Sequence, residues 1–299
     1  MSETNNNNNN NNNVGNNNKF PINLFKFEYL VENPAMVMIA KRGSGKSWVC
    51  KALLKYFEKV PVGVIISKTD RVDPFFSNFF PDSFIFYDYK SEIIEKLVKR
   101  QEIIMEKLKE KKKEGKRIDP RAIIIMDDCL ASKGTWQRDQ PILELLFNGR
   151  HYHITYILTM QYPLGITPEL RCNFDYVFLL AEDSFGNIKR MHEHYAGMFP
   201  TLDSFRQVFT QLTENYGCMV VNNRGSRKTI FDKIYQYKAP TIKDNEIKSG
   251  CYQFRKYHEV SYNPEWIKKK RSFDLGEYIA QKKKDKSSLK IEIKDKDYK

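Results

Sequence analysis

The chain has 299 residues, of which 41% are hydrophobic, with 50 Lys and Arg against 37 Asp and Glu and a formal net charge of +13. This is enough apolar material for one large or two small domains, and the positive excess points to a polyanionic partner, nucleic acid or an acidic membrane surface. Cys50, Cys129, Cys172, Cys218 and Cys251 are scattered, odd in number and form no C-x-x-C pair, so neither a zinc ribbon nor a disulfide framework is signalled; no basic-then-apolar opening marks a secretory signal, and no apolar run approaches the ~20 residues that span a bilayer, so a soluble intracellular protein with reduced thiols is expected.

Residues 1–18 are nearly all Asn. Such a tract buries nothing and is expected to be disordered through residue 19. Residues 36–40 are a short apolar strand, and residues 46–59 a helix with Val49, Ala52, Leu53 and Phe57 on one side. Residues 62–67 and 84–87 are further strands. Residues 91–113 form a long charged helix with Ile93, Ile94, Leu97, Ile104 and Leu108 as its stripe, and its Lys-rich end suits the helix dipole. Residues 122–126, 154–159 and 176–181 read as strands, and 140–147, 185–195 and 202–212 as helices. Residues 218–222 and 228–235, joined through Asn222-Asn223-Arg224-Gly225, read as a C-terminal hairpin. Short, continuous apolar strands alternating with helices imply an α/β fold with a mostly parallel central sheet flanked by helices. The domain is placed at 20–239, and 240–299, rich in Lys and poor in apolar periodicity, is expected to be a loosely ordered basic tail.

The strongest motif is Ala40-Lys41-Arg42-Gly43-Ser44-Gly45-Lys46-Ser47, between an apolar strand and a helix. That is the setting a phosphate-binding P-loop requires. Gly43 and Gly45 permit the tight turn that points successive backbone N–H groups at an anion, and the helix N-terminus adds its dipole. Lys46 can reach the β- and γ-phosphates of ATP, and the Ser47 hydroxyl can ligate Mg²⁺. The nucleotide-contacting stretch is read as Ala40 through Trp48. Ala40 stands where the usual pattern has its first glycine, at the strand end and away from the phosphate cradle.

The run Ile123-Ile124-Ile125-Met126-Asp127-Asp128 delivers two carboxylates at the end of an apolar strand. Ligands of open α/β sheets bind beyond such strand ends. Asp127 is assigned to the metal and Asp128 to polarising the attacking water. Gln161, at the tip of the following strand, is a candidate for sensing the γ-phosphate or positioning that water. Arg150, in Asn148-Gly149-Arg150-His151, is a candidate finger acting across subunits on the charge of the transferred phosphoryl group; Arg171 is a second. His151 with His153, and His192 with His194, lack a third ligand and are not assigned to zinc.

Together, the Lys41 to Ser47 loop, the strand ending at Asp127-Asp128, and the run from Asn148 to Pro163 resemble the FtsK–HerA superfamily, and more closely the genome-packaging ATPases of large nucleocytoplasmic DNA viruses. The resemblance covers about residues 20–235. It implies a P-loop NTPase of the additional-strand type and a homo-oligomeric ring, a hexamer by preference. It also implies ATP-driven, sequence-independent translocation of double-stranded DNA into a capsid, in the host cytoplasm or with the virion. Capsid proteins are then partners. The family's Walker carboxylates map to Asp127 and Asp128 and its glutamine to Gln161. Two other classes fit a P-loop: a small nucleoside or nucleotide kinase, which needs an arginine-rich lid that the chain lacks, and a scaffold that binds nucleotide without hydrolysing it. Lys46, Ser47, Asp127 and Asp128 argue against the scaffold.

Overall fold

The computed structural model of the protein describes residues 20–129, 136–225 and 229–262, with Ile279 alone beyond them. The apolar runs of the sequence become the centre of a nine-stranded sheet. In chain order its strands are β1 (Asn23–Leu24), β2 (Ala35–Ile39), β3 (Val62–Ser67), β4 (Ile85–Phe86), β5 (Ala122–Asp127), β6 (Ile154–Met160), β7 (Tyr176–Leu180), β8 (Gly217–Asn222) and β9 (Ile234–Lys238). They lie in the order β1-β9-β8-β7-β2-β6-β5-β3-β4. The block from β7 to β4 is parallel throughout. β8 runs antiparallel to β7 and to β9, and β1 closes the edge parallel to β9.

Parallel strands need cover on both faces, and alternation along each strand divides the core accordingly. One set of side chains, including Val37, Ile39, Ile124, Met126, Tyr156 and Leu158, meets the helices α2 (Ser91–Lys113), α3 (Gln140–Asn148), α5 (Phe185–Tyr195) and α6 (Leu202–Thr213). The alternate set, including Met36, Met38, Ile65, Ile123, Ile125 and Phe178, meets α1 (Lys46–Tyr56) and the aromatic turns of residues 76–84. All six residues of β5 are buried, which is why its apolar run carries no polar alternation. Among the described residues no helix is long and apolar enough to cross a membrane.

Several elements depart from the sequence reading. The second hairpin strand is Ile234–Lys238, displaced from 228–235, because Thr229 and Asp232 cap a short 3-10 turn ahead of it. β1 is two exposed residues without an apolar signal. A short helix, α4 (Pro168–Arg171), starts at a proline in its first turn. Where the sequence suggests a tail from residue 240, the chain stays docked through residue 262. Lys51 pairs with Asp244, Lys55 Nζ donates to the Glu246 carbonyl at 2.6 Å, and the Gly250 and Cys251 amides donate to Glu58 and Pro61 carbonyls. A final helix, α7 (Tyr252–Ser261), buries Phe254 stacked on Phe84 with centroids 4.2 Å apart. The sequence cue was faint because one aromatic anchors the helix rather than a periodic stripe. The Asn tract and the lysine clusters at 268–271 and 282–284 lie outside the described residues.

Candidate active site

The loops that leave β2, β5, β6 and β3 at their C-terminal ends converge, as expected where chain connections diverge from a parallel sheet. β2 ends in the 40–47 loop. Ala40 is buried and its amide donates to the Met160 carbonyl at 3.0 Å, so the alanine at the usual glycine position extends the strand pairing and leaves the turn to later residues. Gly43 (φ +75°) and Gly45 (φ +101°) occupy backbone conformations that L side chains resist. The Ser44 hydroxyl closes the turn on the Lys41 carbonyl at 2.8 Å, and the Lys41 ammonium pairs with Asp183 beyond β7. Gly45 is the N-cap of α1 and has no side chain to satisfy the first-turn amides. Those amides and the dipole behind them form a seat for an anion.

Lys46 Nζ lies 2.9 Å from Asp127 Oδ1. Burial opposes the lysine's charge, but the Asp127 carboxylate beside it outweighs that cost and holds its pKa above the ordinary value. Asp127 is only 5% exposed, so its remaining lone pairs need donors. Thr159 Oγ1 donates to Oδ1 at 2.5 Å, and Ser67 Oγ and Thr69 Oγ1 donate to Oδ2 at 3.2 and 3.3 Å. Lys46, Ser47, Cys50, Thr69, Asp73, Phe75, Phe76 and Asp127 line one cleft. Burial, then the Asp127 charge, pushes the Cys50 thiol up to about 12, so it is no nucleophile at neutral pH.

Asp128 follows in a left-handed conformation (φ +51°). Its amide donates to the Thr159 carbonyl at 3.1 Å and is 3.3 Å from Thr159 Oγ1. A single threonine therefore ties both acids to β6. The Gln161 amide donates to Asp128 Oδ2, so the strand-tip glutamine meets the second acid directly.

The two arginines lie elsewhere. Arg150 Nη2 is 2.6 Å from Asp175 Oδ1, and Arg224 Nη1 is 2.9 Å from the same oxygen. Asp175 precedes β7, so this pair lies at the N-terminal ends of the parallel strands, opposite the end that carries the loop. Arg171 lies with its guanidinium 5.7 Å from the Tyr195 ring centroid. Neither arginine lines the cleft. His153 Nδ1 is hydrogen-bonded with Asn33 Nδ2 at 3.3 Å, and His192 Nε2 with the Phe199 carbonyl at 3.0 Å. Sequence reasoning missed Ser67, Thr69 and Thr159. The rule that found Asp127, a polar residue ending an apolar strand, applies equally to Ser67.

Ser47 and Asp127 offer oxygen ligands, the type a hard cation takes, with the Thr69 hydroxyl and the Asp73 carboxylate in the same cleft lining. Among the described residues no group of three or more His, Cys, Asp or Glu forms a metal site on its own.

The family described as Poxvirus A32 protein matches residues 23–193. The chain is 44% identical over 282 residues to uncharacterized protein L437 of Acanthamoeba polyphaga mimivirus, covering 94% of this chain and 98% of that protein. It is 32% identical over 239 residues to uncharacterized protein 075L of Invertebrate iridescent virus 6, covering 78% and 88%. Among solved structures, the genome packaging NTPase B204 from Sulfolobus turreted icosahedral virus 2, in complex with ATP-gammaS, is similar at 16% identity and a TM-score of 0.46. The similarity covers 70% of this chain and 98% of that one.

Proposed function

The chain belongs to the poxvirus A32 protein family, and from that premise we propose that it is a P-loop ATPase of the FtsK–HerA type that drives double-stranded viral DNA into a capsid as a homo-oligomeric ring in the host cytoplasm. The observation that carries the enzymatic part is the Lys46–Asp127 contact, 2.9 Å across one cleft beside Ser47 and the Gly45-capped helix. A lysine, a hydroxyl and a carboxylate line that cleft beside the loop whose amides begin α1, an arrangement that suits a nucleoside triphosphate.

In this reading the amides of residues 43–47 and the α1 dipole hold the phosphates. The Lys46 ammonium exchanges Asp127 for the β- and γ-phosphate oxygens and follows the charge that develops on transfer. Ser47 and Asp127 would hold Mg²⁺, which when bound neutralises phosphate charge. Ser67, Thr69 and Thr159 keep the Asp127 carboxylate aimed while its lysine partner is engaged elsewhere. Asp128 polarises the attacking water, and Gln161 sets the carboxylate's orientation. Duplex DNA enters through the net positive charge, which binds phosphates without reading sequence.

Steady-state hydrolysis with and without duplex DNA, across a salt series, tests the proposal. The expected result is stimulation by DNA of any sequence that fades as salt rises. Hydrolysis indifferent to DNA at every salt would remove the translocase. Negligible rates, equal in wild type and Asp128→Asn, would leave a scaffold that only binds nucleotide.

A further inference from the structure

The phosphate loop has an aromatic neighbour that the scheme above does not use. Tyr216 stands immediately before β8, and because β8 runs antiparallel to β7, with Cys218 opposite Leu180, its start lies at the same sheet edge as the loop. A Cβ placed on Gly45 would meet Tyr216 Cβ and Cδ1, both at 3.5 Å, and Leu180 Cδ2 at 3.9 Å. The tyrosine therefore lies against the second glycine of the loop, yet the residue is 66% exposed.

Its backbone is as unusual as its position. Tyr216 (φ +62°) follows Asn215 (φ +51°), two consecutive non-glycine residues in the left-handed region. Bulky side chains avoid that region, and residues held there gather at ligand sites. The next residue, Gly217, has no room for a side chain, since its Cβ would lie 2.2 Å from the Leu212 carbonyl oxygen. The link from α6 to β8 is thus tightly folded, and the aromatic ring projects from it beside the loop.

Direction follows from strand order. β2, which carries the loop, lies between β6 on the side of the acids and β7 on the side of Tyr216. The acid side is filled by Thr69, Phe75, Phe76 and Asp127. A triphosphate with its terminal end over Asp127 sends its nucleoside towards β7 and β8.

We infer that Tyr216 is the stacking platform for the base of the bound nucleotide, so that the site takes nucleoside triphosphates by the face of the base rather than by its hydrogen-bonding edge. This rests on the phosphate-loop reading of residues 40–47. Face recognition tolerates any base, so ATP and GTP are bound with similar affinity.

Calorimetric titration of the full chain with ATP, GTP and inorganic tripolyphosphate, for wild type, Tyr216→Ala and Tyr216→Phe, separates the possibilities. The expected result is that Tyr216→Ala weakens ATP and GTP alike by about tenfold or more, leaves tripolyphosphate affinity unchanged, and that Tyr216→Phe binds all three as wild type does. Unchanged ATP affinity in Tyr216→Ala would overturn the inference. So would equal loss of ATP and tripolyphosphate, because the ring would then only shape Gly45. Wild type that binds neither ATP nor tripolyphosphate would overturn the phosphate-loop reading, and this inference with it.

Discussion

Two aspartates, Asp127 and Asp175, are each 5% exposed and each neutralised by a basic partner, Asp127 by one and Asp175 by two, at opposite ends of the parallel strands of one sheet. Asp175 is closed in: one oxygen takes Arg150 and Arg224, the other the Ala35 amide at 2.9 Å. Both arginines and the amide belong to the folded chain, and nothing in that knot borders the cleft. Asp127 is held by three short hydroxyls and one lysine at the mouth of a cleft. Its partners can exchange without unfolding anything. A buried charge with fixed partners is a structural joint; the same charge with a movable partner beside a row of free-facing helix amides is a place for a ligand.

Removing each charge and reading both hydrolysis and stability separates a ligand site from a structural joint. Lys46→Ala and Asp127→Asn should each lower the hydrolysis rate of the folded protein about a hundredfold or more, with a smaller midpoint loss than Asp175→Asn because three hydroxyls still hold residue 127; residual activity in proportion to folded protein would make Asp127 a joint as well. Asp175→Asn should do the reverse. Breaking a buried pair costs about 3 kcal/mol or more, so the midpoint in denaturant should fall while nucleotide affinity of the folded fraction holds. Smaller is Arg150→Ala, whose side chain is half exposed, costing about 1 kcal/mol or less. Mixing it with Lys46→Ala then asks whether Arg150 also acts across subunits, where recovered hydrolysis would assign it that role and none at any ratio would leave it to Asp175 alone.

The two smallest effects concern protonation. Lys46 is raised in the native state, so the stability from its ion pair is fully present below the ordinary value of 10.5 and is lost only as pH rises through the native value. Stability conferred by this pair, measured as the difference between wild type and Lys46→Met, should therefore be flat through neutral and mildly alkaline pH and decline beyond. Cys50 and Cys129 are both held up to about 12, chiefly by burial, while Cys172 is exposed. Alkylation at mildly alkaline pH should label Cys172 and spare Cys50 and Cys129; rapid loss of the Cys50 thiol would mean the cleft opens more deeply than this structure shows.

The central strands and the site's main residues were legible because each rests on a strong local signal. An unbroken apolar run ending in two acids marks a buried strand and what it carries, and a glycine pair followed by Lys46-Ser47 between a strand and a helix marks the setting a phosphate loop requires. What stayed hidden depends on contacts far apart in sequence. Thr159 reads as one more strand residue until Asp127 and Asp128 of the neighbouring strand are laid beside it. Tyr216 reads as an ordinary loop aromatic until the antiparallel turn of β8 brings it to Gly45. Helix α7 was unreadable for a related reason, since its anchoring contacts, Phe254 and Tyr257 on Phe84 and His258 on Ser83, all reach far back along the chain. Arg150 carried a sequence signal, yet its partner Asp175 could only be found in three dimensions.

Binding of a non-hydrolysable ATP analogue, with Mg²⁺, to wild type and to Lys46→Ala at matched folded concentration decides whether the cleft is the nucleotide site. The expected result is saturable one-site binding to the wild type, lost in the folded variant. Equal affinity in both proteins would mean that the Lys46–Asp127 cleft is not where the nucleotide sits.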